Sequence, residues 1–187
     1  MWHGWIFAPS VESVSEVLEN LPDEYVVLKD LVLPEGRITF DYVVAGPSGL
    51  FAVETKDWTG EVKCKGHDWF VGRKRVPSPG RPAQIKAAAL RKTLVHLIYD
   101  GERTVPAVAA VLTFTDPEVS ISVSAPAVPA MRLEELPSFI VHYKTSEVDE
   151  SVRAGIVGHL VSFPSRPKLR RRRFFGMKAR SERRAVA

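Results

Sequence analysis

The sequence contains a single cysteine, Cys64, among its 187 residues. One cysteine has no partner in the same chain for a disulfide and cannot form a thiolate cluster for a structural zinc ion. We therefore expect a protein of the reducing cytoplasm whose stability comes from packing. Long apolar runs are also missing, because the longest, Val105 to Val111, is far shorter than the roughly 20 residues that cross a bilayer. No association with a membrane is expected.

Several common catalytic motifs are absent as well. The sequence has no Gly-x-Ser-x-Gly nucleophile elbow and no Gly-x₄-Gly-Lys-Ser/Thr phosphate loop. Its five histidines lie far apart, without the His-x₃-His spacing of a zinc site. These absences argue against a serine hydrolase, a P-loop nucleotidase and a histidine-based zinc enzyme.

Positive charge is concentrated at the C-terminal end. Residues 166–184 hold ten of the 26 Lys and Arg residues but only one of the 22 Asp and Glu residues, which leaves 16 basic and 21 acidic residues elsewhere. Basic runs of this kind bind phosphate backbones through counterion release, and they also occur as solvated ends without a partner. We predict a folded domain over residues 1–164 and a basic, flexible tail over residues 165–187, with four candidate nucleic-acid contacts: Arg170, Arg171, Arg172 and Arg173.

Apolar periodicity and turn residues predict a helix, three strands, a hairpin, a second helix, further strands and a last helix. The first segments of the chain are expected to form a helix over Pro9 to Leu21 and strands over Tyr25 to Leu33, Arg37 to Ala45 and Leu50 to Lys56. Next come a hairpin over residues 61–71 that buries Val62 and Cys64, a loop, and a helix from Pro82 to Tyr99. Strands over Val105 to Phe114 and Val119 to Val123, a helical turn over Leu133 to Leu136 and a helix over Glu147 to Phe163 complete the prediction. This order predicts an α/β fold with a central mixed sheet flanked by helices.

Three charged side chains interrupt the two apolar strands around the turn Gly46-Pro47-Ser48-Gly49, namely Asp41, Glu54 and Lys56. Burying an unpaired carboxylate is costly, so the two acids need a cation, hydrogen bonds or solvent. Glu54 and Lys56 are two residues apart and project from the same face of their strand. A hairpin closing symmetrically about residues 47 and 48 would oppose Asp41 to Glu54, whereas a bulge would put them on opposite faces. A solvated strand pair is the alternative explanation.

This segment resembles the nuclease-related domain, a bacterial branch of the PD-(D/E)xK nuclease superfamily. The acidic residue, the Gly-Pro-x-Gly turn and the strand ending in Glu-x-Lys are matched by Asp41, residues 46–49, Glu54 and Lys56. The similarity continues through Gly60, Trp69, residues 79–84 and Phe114, and so covers roughly residues 10–140. It implies a restriction-endonuclease-like fold and a nuclease that depends on a divalent metal.

The resemblance also implies a role for each matched residue. Asp41 and Glu54, helped by the backbone carbonyl of Thr55, would hold Mg²⁺ or Mn²⁺, and Lys56 would orient or deprotonate the attacking water. Gln84 would be the third residue of its helix and would complete the site at the positive end of the helix dipole. A simple cap of the first helical turn is the alternative for Gln84.

The first helix of the family often supplies a glutamate that follows a glycine, and here the chain departs from the pattern. It has Ser10-Val11-Glu12, so that both Glu12 and Glu16 are candidates, with Glu12 preferred. A solvated helix face explains either residue equally well. Four basic residues precede Gln84: Arg73, Lys74, Arg75 and Arg81. They could bind the phosphate backbone of DNA beside the metal, or they could lie in a solvated loop.

The expected partner is nucleic acid, with DNA favoured, and the sequence is compatible with a homodimer. Two further functions are open at this point. One is a nucleic-acid-binding or adaptor module that keeps the nuclease fold without turnover, and the other is a protein-interaction domain with an accidental acidic pair.

Overall fold

The computed structural model of the protein describes residues 13–34, 38–98, 105–143 and 148–165. Glu12 and the four arginines Arg170, Arg171, Arg172 and Arg173 lie outside the described residues, as does nearly all of the predicted tail. The outer limits of several predicted elements, such as Arg37, Tyr99 and Glu147, also lie outside them. No helix in the described segments of the chain is both long enough and apolar enough to cross a membrane.

The described residues form nine strands and four α-helices, and six of the strands follow one another between the first two helices. The strands are β1 (Val26–Lys29), β2 (Tyr42–Gly46), β3 (Gly49–Lys56), β4 (Glu61–Lys65), β5 (Asp68–Val71), β6 (Lys74–Val76), β7 (Val108–Phe114), β8 (Ser120–Ser124) and β9 (Ala130–Arg132). The helices are α1 (Val14–Leu18), α2 (Gly80–Ile98), α3 (Leu136–His142) and α4 (Glu150–Leu160), with a 3-10 turn at Leu133–Glu135.

The main sheet has five strands in the order β1-β2-β3-β7-β9. β1, β2 and β3 are antiparallel neighbours, whereas β7 runs parallel to β3 and β9 runs parallel to β7. This is a mixed sheet with helices on its two faces, so the predicted α/β class is confirmed and is consistent with a restriction-endonuclease-like fold. The parallel step from β3 to β7 requires a crossover, and α2 provides it.

The two faces of the sheet belong to two separate cores. Alternation along β3 places Leu50 and Ala52 in one core with the buried stripe of α2, and Phe51 and Val53 in the other with α1 and α3. The α2 stripe consists of Ala83, Ala87, Leu90 and Leu94. A residue's position in β3 therefore determines whether it faces α2 or α1.

A second sheet, with the order β6-β5-β4-β8, adds to the predicted architecture. The predicted hairpin is β4 and β5, and its alternation buries Val62 and Cys64 as expected. A solvated loop, which was one of the alternatives for Arg73-Lys74-Arg75, does not describe Lys74 and Arg75, because Gly72 adopts a φ of +59° and the chain turns there into β6. These basic residues therefore lie on a hairpin.

Several predicted boundaries are also wrong. The strand predicted to Leu33 ends at Lys29, because Asp30 adopts a left-handed φ of +54°, and beyond it Leu31 and Val32 form only isolated bridges with Ser165 and Thr39. The next strand begins at Tyr42 rather than at residue 37. Helix α2 begins at Gly80, two residues before the predicted start.

Candidate active site

The β2–β3 hairpin closes symmetrically. Gly46 pairs with Gly49, Val44 with Phe51 and Tyr42 with Val53, without a bulge. The predicted register is therefore confirmed, and Asp41 and Glu54 are the residues that follow the last pair. Since Leu50 and Ala52 face α2, the two-residue alternation directs Glu54 and Lys56 to that same side of the sheet.

Asp41 lies where β2 leaves its neighbour. Its Oδ2 accepts hydrogen bonds from the main-chain N–H of Thr55 at 2.8 Å and from Thr55 Oγ1 at 2.9 Å. In a longer ladder a main-chain carbonyl of β2 would accept this N–H. The Asp41 side chain accepts this N–H instead, at the point where the two strands diverge. The hydrogen bond holds the half-buried carboxylate at the edge of β3, beside the residue that follows Glu54.

The carbonyl of Thr55 faces the same gap between the strands. Lys56 directs its carbonyl towards the opposite neighbour, where it accepts the N–H of Thr115 at 2.9 Å. Successive residues of a strand direct their main-chain groups to opposite edges, so Thr55 directs its carbonyl to the side on which its N–H meets Asp41. The carbonyl named by the family resemblance is therefore on the Asp41 side of β3.

Glu54 is the most deeply buried acid of this region, with 7% of its surface exposed. Its Oε1 accepts a hydrogen bond from Lys86 Nζ of α2 at 2.6 Å. The Lys86 side chain is 28% exposed to solvent, so the pair lies at the rim of the core. A buried carboxylate needs such a compensating charge, and Lys86 supplies it.

Lys86 was not among the candidates obtained from the sequence. A signal for it was nevertheless present, because Lys86 is three residues after Ala83 and four before Leu90, within the stripe of α2 that faces the sheet. A lysine in an apolar stripe requires an acidic partner, and Glu54 is the acid in the neighbouring strand that lies on the facing side. Helix periodicity combined with strand alternation could therefore have predicted the pair.

Lys56 is the third member of the predicted constellation. It is half-buried at the end of β3, next to its register partner Phe114. Within the described ranges, no hydrogen bond or ion pair engages its ammonium group. The acid two residues earlier is paired with a lysine from α2 instead, which leaves the Lys56 charge available for another group.

A family model matches the part of the chain that contains these residues. The model of the nuclease-related domain, NERD, matches residues 8–115, which is more than half of the chain. The chain belongs to the nuclease-related domain family. The matched segment includes Asp41, Glu54, Lys56 and Lys86, and it ends just after β7. No curated protein and no solved structure matches the chain.

Gln84 occupies a different place in this nuclease-related domain from the one expected. Because α2 begins at Gly80, it is the fifth residue of the helix and not the third. Its Nε2 donates to the carbonyl of Ala127 at 2.8 Å, beside a cleft of about 350 Å³. Two helical residues subtend about 200°, so Gln84 and Lys86 extend from nearly opposite sides of α2. No hydrogen bond among the described residues joins Gln84 to Asp41, Glu54 or Lys56.

The two first-helix glutamates are in different situations. Glu12 lies outside the described residues, whereas Glu16 lies in α1 and forms a capping box with Ser13. Its Oε2 accepts the Ser13 N–H at 2.6 Å, and its own N–H donates to Ser13 Oγ at 3.3 Å. Hydrogen bonding to the Glu16 carboxylate from the Ser13 amide, and to a lesser extent from the Ser13 hydroxyl, lowers the pKa of Glu16. Glu16 therefore stabilises the start of α1.

The described basic candidates are all exposed. Arg73 belongs to the β5–β6 turn, Lys74 and Arg75 lie in β6, and Arg81 lies in the first turn of α2. The guanidinium of Arg75 forms an ion pair with Asp68, so its charge is partly neutralised. Arg73, Lys74 and Arg81 are the more available cations near the start of α2.

The donor set at Asp41 and Glu54 fits a hard divalent cation. Mg²⁺ prefers oxygen ligands, uses one or two carboxylates and keeps several waters. The described segments of the chain bring together no group of three or more His, Cys, Asp and Glu side chains suited to a metal. A metal here would therefore be held by two carboxylates, the Thr55 carbonyl and water, which is chemistry suited to Mg²⁺ or Mn²⁺ and unlike that of a structural zinc site.

Proposed function

We propose that this nuclease-related domain is a cytoplasmic, divalent-metal-dependent nuclease that hydrolyses DNA phosphodiester bonds in DNA processing, repair or defence. The observation that carries the proposal is that the Asp41 carboxylate accepts hydrogen bonds from Thr55, the residue after Glu54, where β2 and β3 diverge, with Lys56 on the same side as Glu54.

Each residue has a distinct task in the proposed reaction. Asp41, Glu54 and the Thr55 carbonyl would hold Mg²⁺ or Mn²⁺, which polarises a phosphoryl oxygen and lowers the pKa of bound water. Lys56 orients the attacking water and stabilises the negative charge that develops on the phosphorus oxygens. The apolar cluster of Trp58, Trp69 and Phe114 packs beside the end of β3, where Phe114 is the register partner of Lys56.

A second Glu-x-Lys segment in the same chain supports this assignment by contrast. In β4, Glu61 and Lys63 are both about half exposed and form an ion pair with each other at 2.7 Å. Glu54 and Lys56 have the same spacing, but Glu54 is buried and paired with Lys86. A solvated strand pair is what β4 contains, and β3 differs from it in both burial and pairing.

A cleavage assay tests the proposal, and the β4 segment provides its matched control. Purified protein is incubated with plasmid, single-stranded and branched DNA in the presence of Mg²⁺, Mn²⁺ or EDTA. We expect cleavage that requires the metal. The cleavage rate of Lys56→Ala should fall at least about a hundredfold, because removing one group that stabilises transition-state charge costs about that much. The cleavage rate of Lys63→Ala should change little. Folded wild-type protein that binds metal but cleaves none of these substrates would oppose the proposal.

Exposed cations would supply the binding energy for the DNA backbone. Arg73, Lys74 and Arg81 lie near the start of α2, and Arg170 to Arg173 belong to the basic tail. Phosphate contacts fix the position of a protein on DNA and make binding depend on salt. Substitution of the three described cations by alanine is expected to weaken binding and to reduce the slope of log affinity against log salt by about one unit per lost contact.

A nucleic-acid-binding or adaptor module on the same fold is the second candidate. The ion pair between Glu54 and Lys86 favours it, because a carboxylate paired with a lysine is partly withdrawn from a metal. The Lys56→Ala variant separates the two candidates. Equal DNA binding and no cleavage in either protein favours the module, whereas lost cleavage with retained binding favours the enzyme.

A further inference from the structure

Lys86 donates a hydrogen bond to an atom of the proposed metal site, Oε1 of Glu54. The Lys86 ammonium lies 2.6 Å from this oxygen, which is a short, charge-assisted contact. We propose that Lys86 acts as the built-in counter-ion of the metal site, neutralising Glu54 in the metal-free protein and giving up the carboxylate when Mg²⁺ or Mn²⁺ binds. The inference rests on the proposed metal-dependent function and concerns the control of metal binding.

The burial of Glu54 makes a counter-ion necessary. With 7% of its surface exposed, the carboxylate is largely removed from water, and removing one partner of a buried pair leaves an uncompensated charge. Asp41 does not share this requirement, since two hydrogen bonds from Thr55 already satisfy one of its oxygens. The two acids of the site are therefore stabilised in different ways before a metal binds.

The position of Lys86 allows it to withdraw. Its side chain keeps 28% of its exposure, whereas that of Glu54 keeps 10%. A lysine is long and flexible, and its ammonium can move into solvent while its methylene groups stay packed. Lys86 also lies in the second turn of α2, so its Cα is held by the helix while its charged end moves.

Substitution by methionine tests the competition directly, because it keeps the length of the side chain and removes its charge. Mn²⁺ affinity is measured by titration calorimetry in wild-type protein, Lys86→Met and Lys92→Met. Lys92 lies in the same helix, is exposed, and has no hydrogen bond or ion pair among the described residues, which makes it the matched control. We expect Lys86→Met to bind Mn²⁺ about tenfold more tightly, since a charge-assisted contact contributes at least about that factor, and Lys92→Met to bind as wild type.

The substitution that strengthens metal binding should destabilise the metal-free protein. In EDTA, the Lys86→Met variant leaves Glu54 without its counter-ion, and we expect a lower midpoint of thermal unfolding than in wild type. Saturating Mn²⁺ should restore most of the difference. A merely structural lysine would lower the midpoint equally with and without metal.

A measurement on the wild-type protein keeps the inference testable if the variant does not fold. Lysines are acetylated with acetic anhydride with and without saturating Mg²⁺, and the modified sites are counted by mass spectrometry. We expect the labelling rate of Lys86 to rise several-fold with Mg²⁺, while that of Lys92 stays constant. Unchanged labelling of Lys86 in protein shown to bind Mg²⁺ would overturn the inference.

The possible failures are distinguishable. Equal Mn²⁺ affinity in wild type and in folded Lys86→Met overturns the competition and leaves the proposed nuclease intact. Absence of Mn²⁺ binding in both proteins overturns the competition together with the metal-dependent function. Weaker Mn²⁺ binding in Lys86→Met would show that the lysine supports the metal site, which is the opposite of the proposed competition.

Discussion

The carboxylate of Asp41 accepts both the main-chain N–H and the hydroxyl of Thr55, at 2.8 and 2.9 Å. The two residues are 14 positions apart, and Asp41 directly precedes β2 whereas Thr55 lies in β3, at the point where the two strands separate. One oxygen of the proposed metal ligand is therefore fixed by protein donors, which positions the carboxylate in advance of any metal. The threonine hydroxyl contributes to this orientation in a way that a substitution can test.

We expect Thr55→Val to destabilise the protein by about 1 kcal/mol, because it removes one hydrogen bond to a charged, half-buried acceptor while keeping a β-branched side chain. Thr115→Val is the control, since its hydroxyl makes a longer contact, 3.3 Å, with the Lys56 carbonyl. Urea unfolding of both variants gives the comparison. A Thr55→Val protein as stable as Thr115→Val would show that the hydroxyl does not hold Asp41.

Substitution of Thr113, the register partner of Thr55, should stabilise the protein. Thr113 lies beside Thr55 in β7, is fully buried, and its hydroxyl has no hydrogen-bond partner among the described residues. A buried hydroxyl without a partner costs about 1–3 kcal/mol, so Thr113→Val should raise the free energy of unfolding by about 1 kcal/mol. The same urea measurement checks it, and any loss of stability would contradict the prediction.

The hairpin and its charged residues could be predicted from local sequence. The turn from Gly46 to Gly49 fixes the register by symmetry, and two-residue alternation then assigns Glu54 and Lys56 to one side. Both signals act over a few residues and do not depend on how distant elements pack. For this reason the order of the amino acids is enough to reveal them.

The rest of the site depends on distant packing. Glu54 and Lys86 are 32 residues apart, and their contact depends on how α2 docks on the sheet. The division of the strands between two sheets was not predictable either, because alternation in β4 and β8 reveals strands and not their partners. The early end of β1 at Asp30 reflects a left-handed backbone conformation that an aspartate tolerates but that its sequence context does not demand.

Close packing at Gly46 gives a third prediction. A Cβ built at this position would lie 2.1 Å from Cδ1 of the Tyr25 ring, so Gly46→Ala should destabilise the protein by about 3 kcal/mol or more. The double variant Tyr25→Ala/Gly46→Ala should lose less than the sum of the two single variants, because the clash is removed. Unfolding free energies of the three variants test this coupling.

A glycine with free space provides the control for that experiment. Gly158 lies within α4 and has no atom within 4 Å of an added Cβ. Alanine is favoured over glycine in a helix by up to about 1 kcal/mol, so Gly158→Ala should stabilise the protein. Equal effects of the two alanine substitutions would show that the Tyr25 contact does not limit the size of residue 46.

The capping box of α1 leads to a prediction about pH. The Ser13 amide, and next the Ser13 hydroxyl, lower the pKa of Glu16, so protons bind more tightly to this carboxylate in the unfolded chain than in the folded protein. Its stabilising contribution is therefore complete above the unfolded pKa and is lost as the pH falls through the lowered, folded pKa. We expect Glu16→Gln to reduce the acid dependence of stability, whereas Glu19→Gln, which removes the same charge without a bond to Ser13, should retain it. Urea unfolding between pH 6 and pH 3 separates the two variants, and equal curves would rule out a capping role for Glu16.

Because Glu16 is occupied at the helix terminus, Glu16→Gln should also leave DNA cleavage nearly unchanged, and a large loss of cleavage would reassign this residue to the metal site.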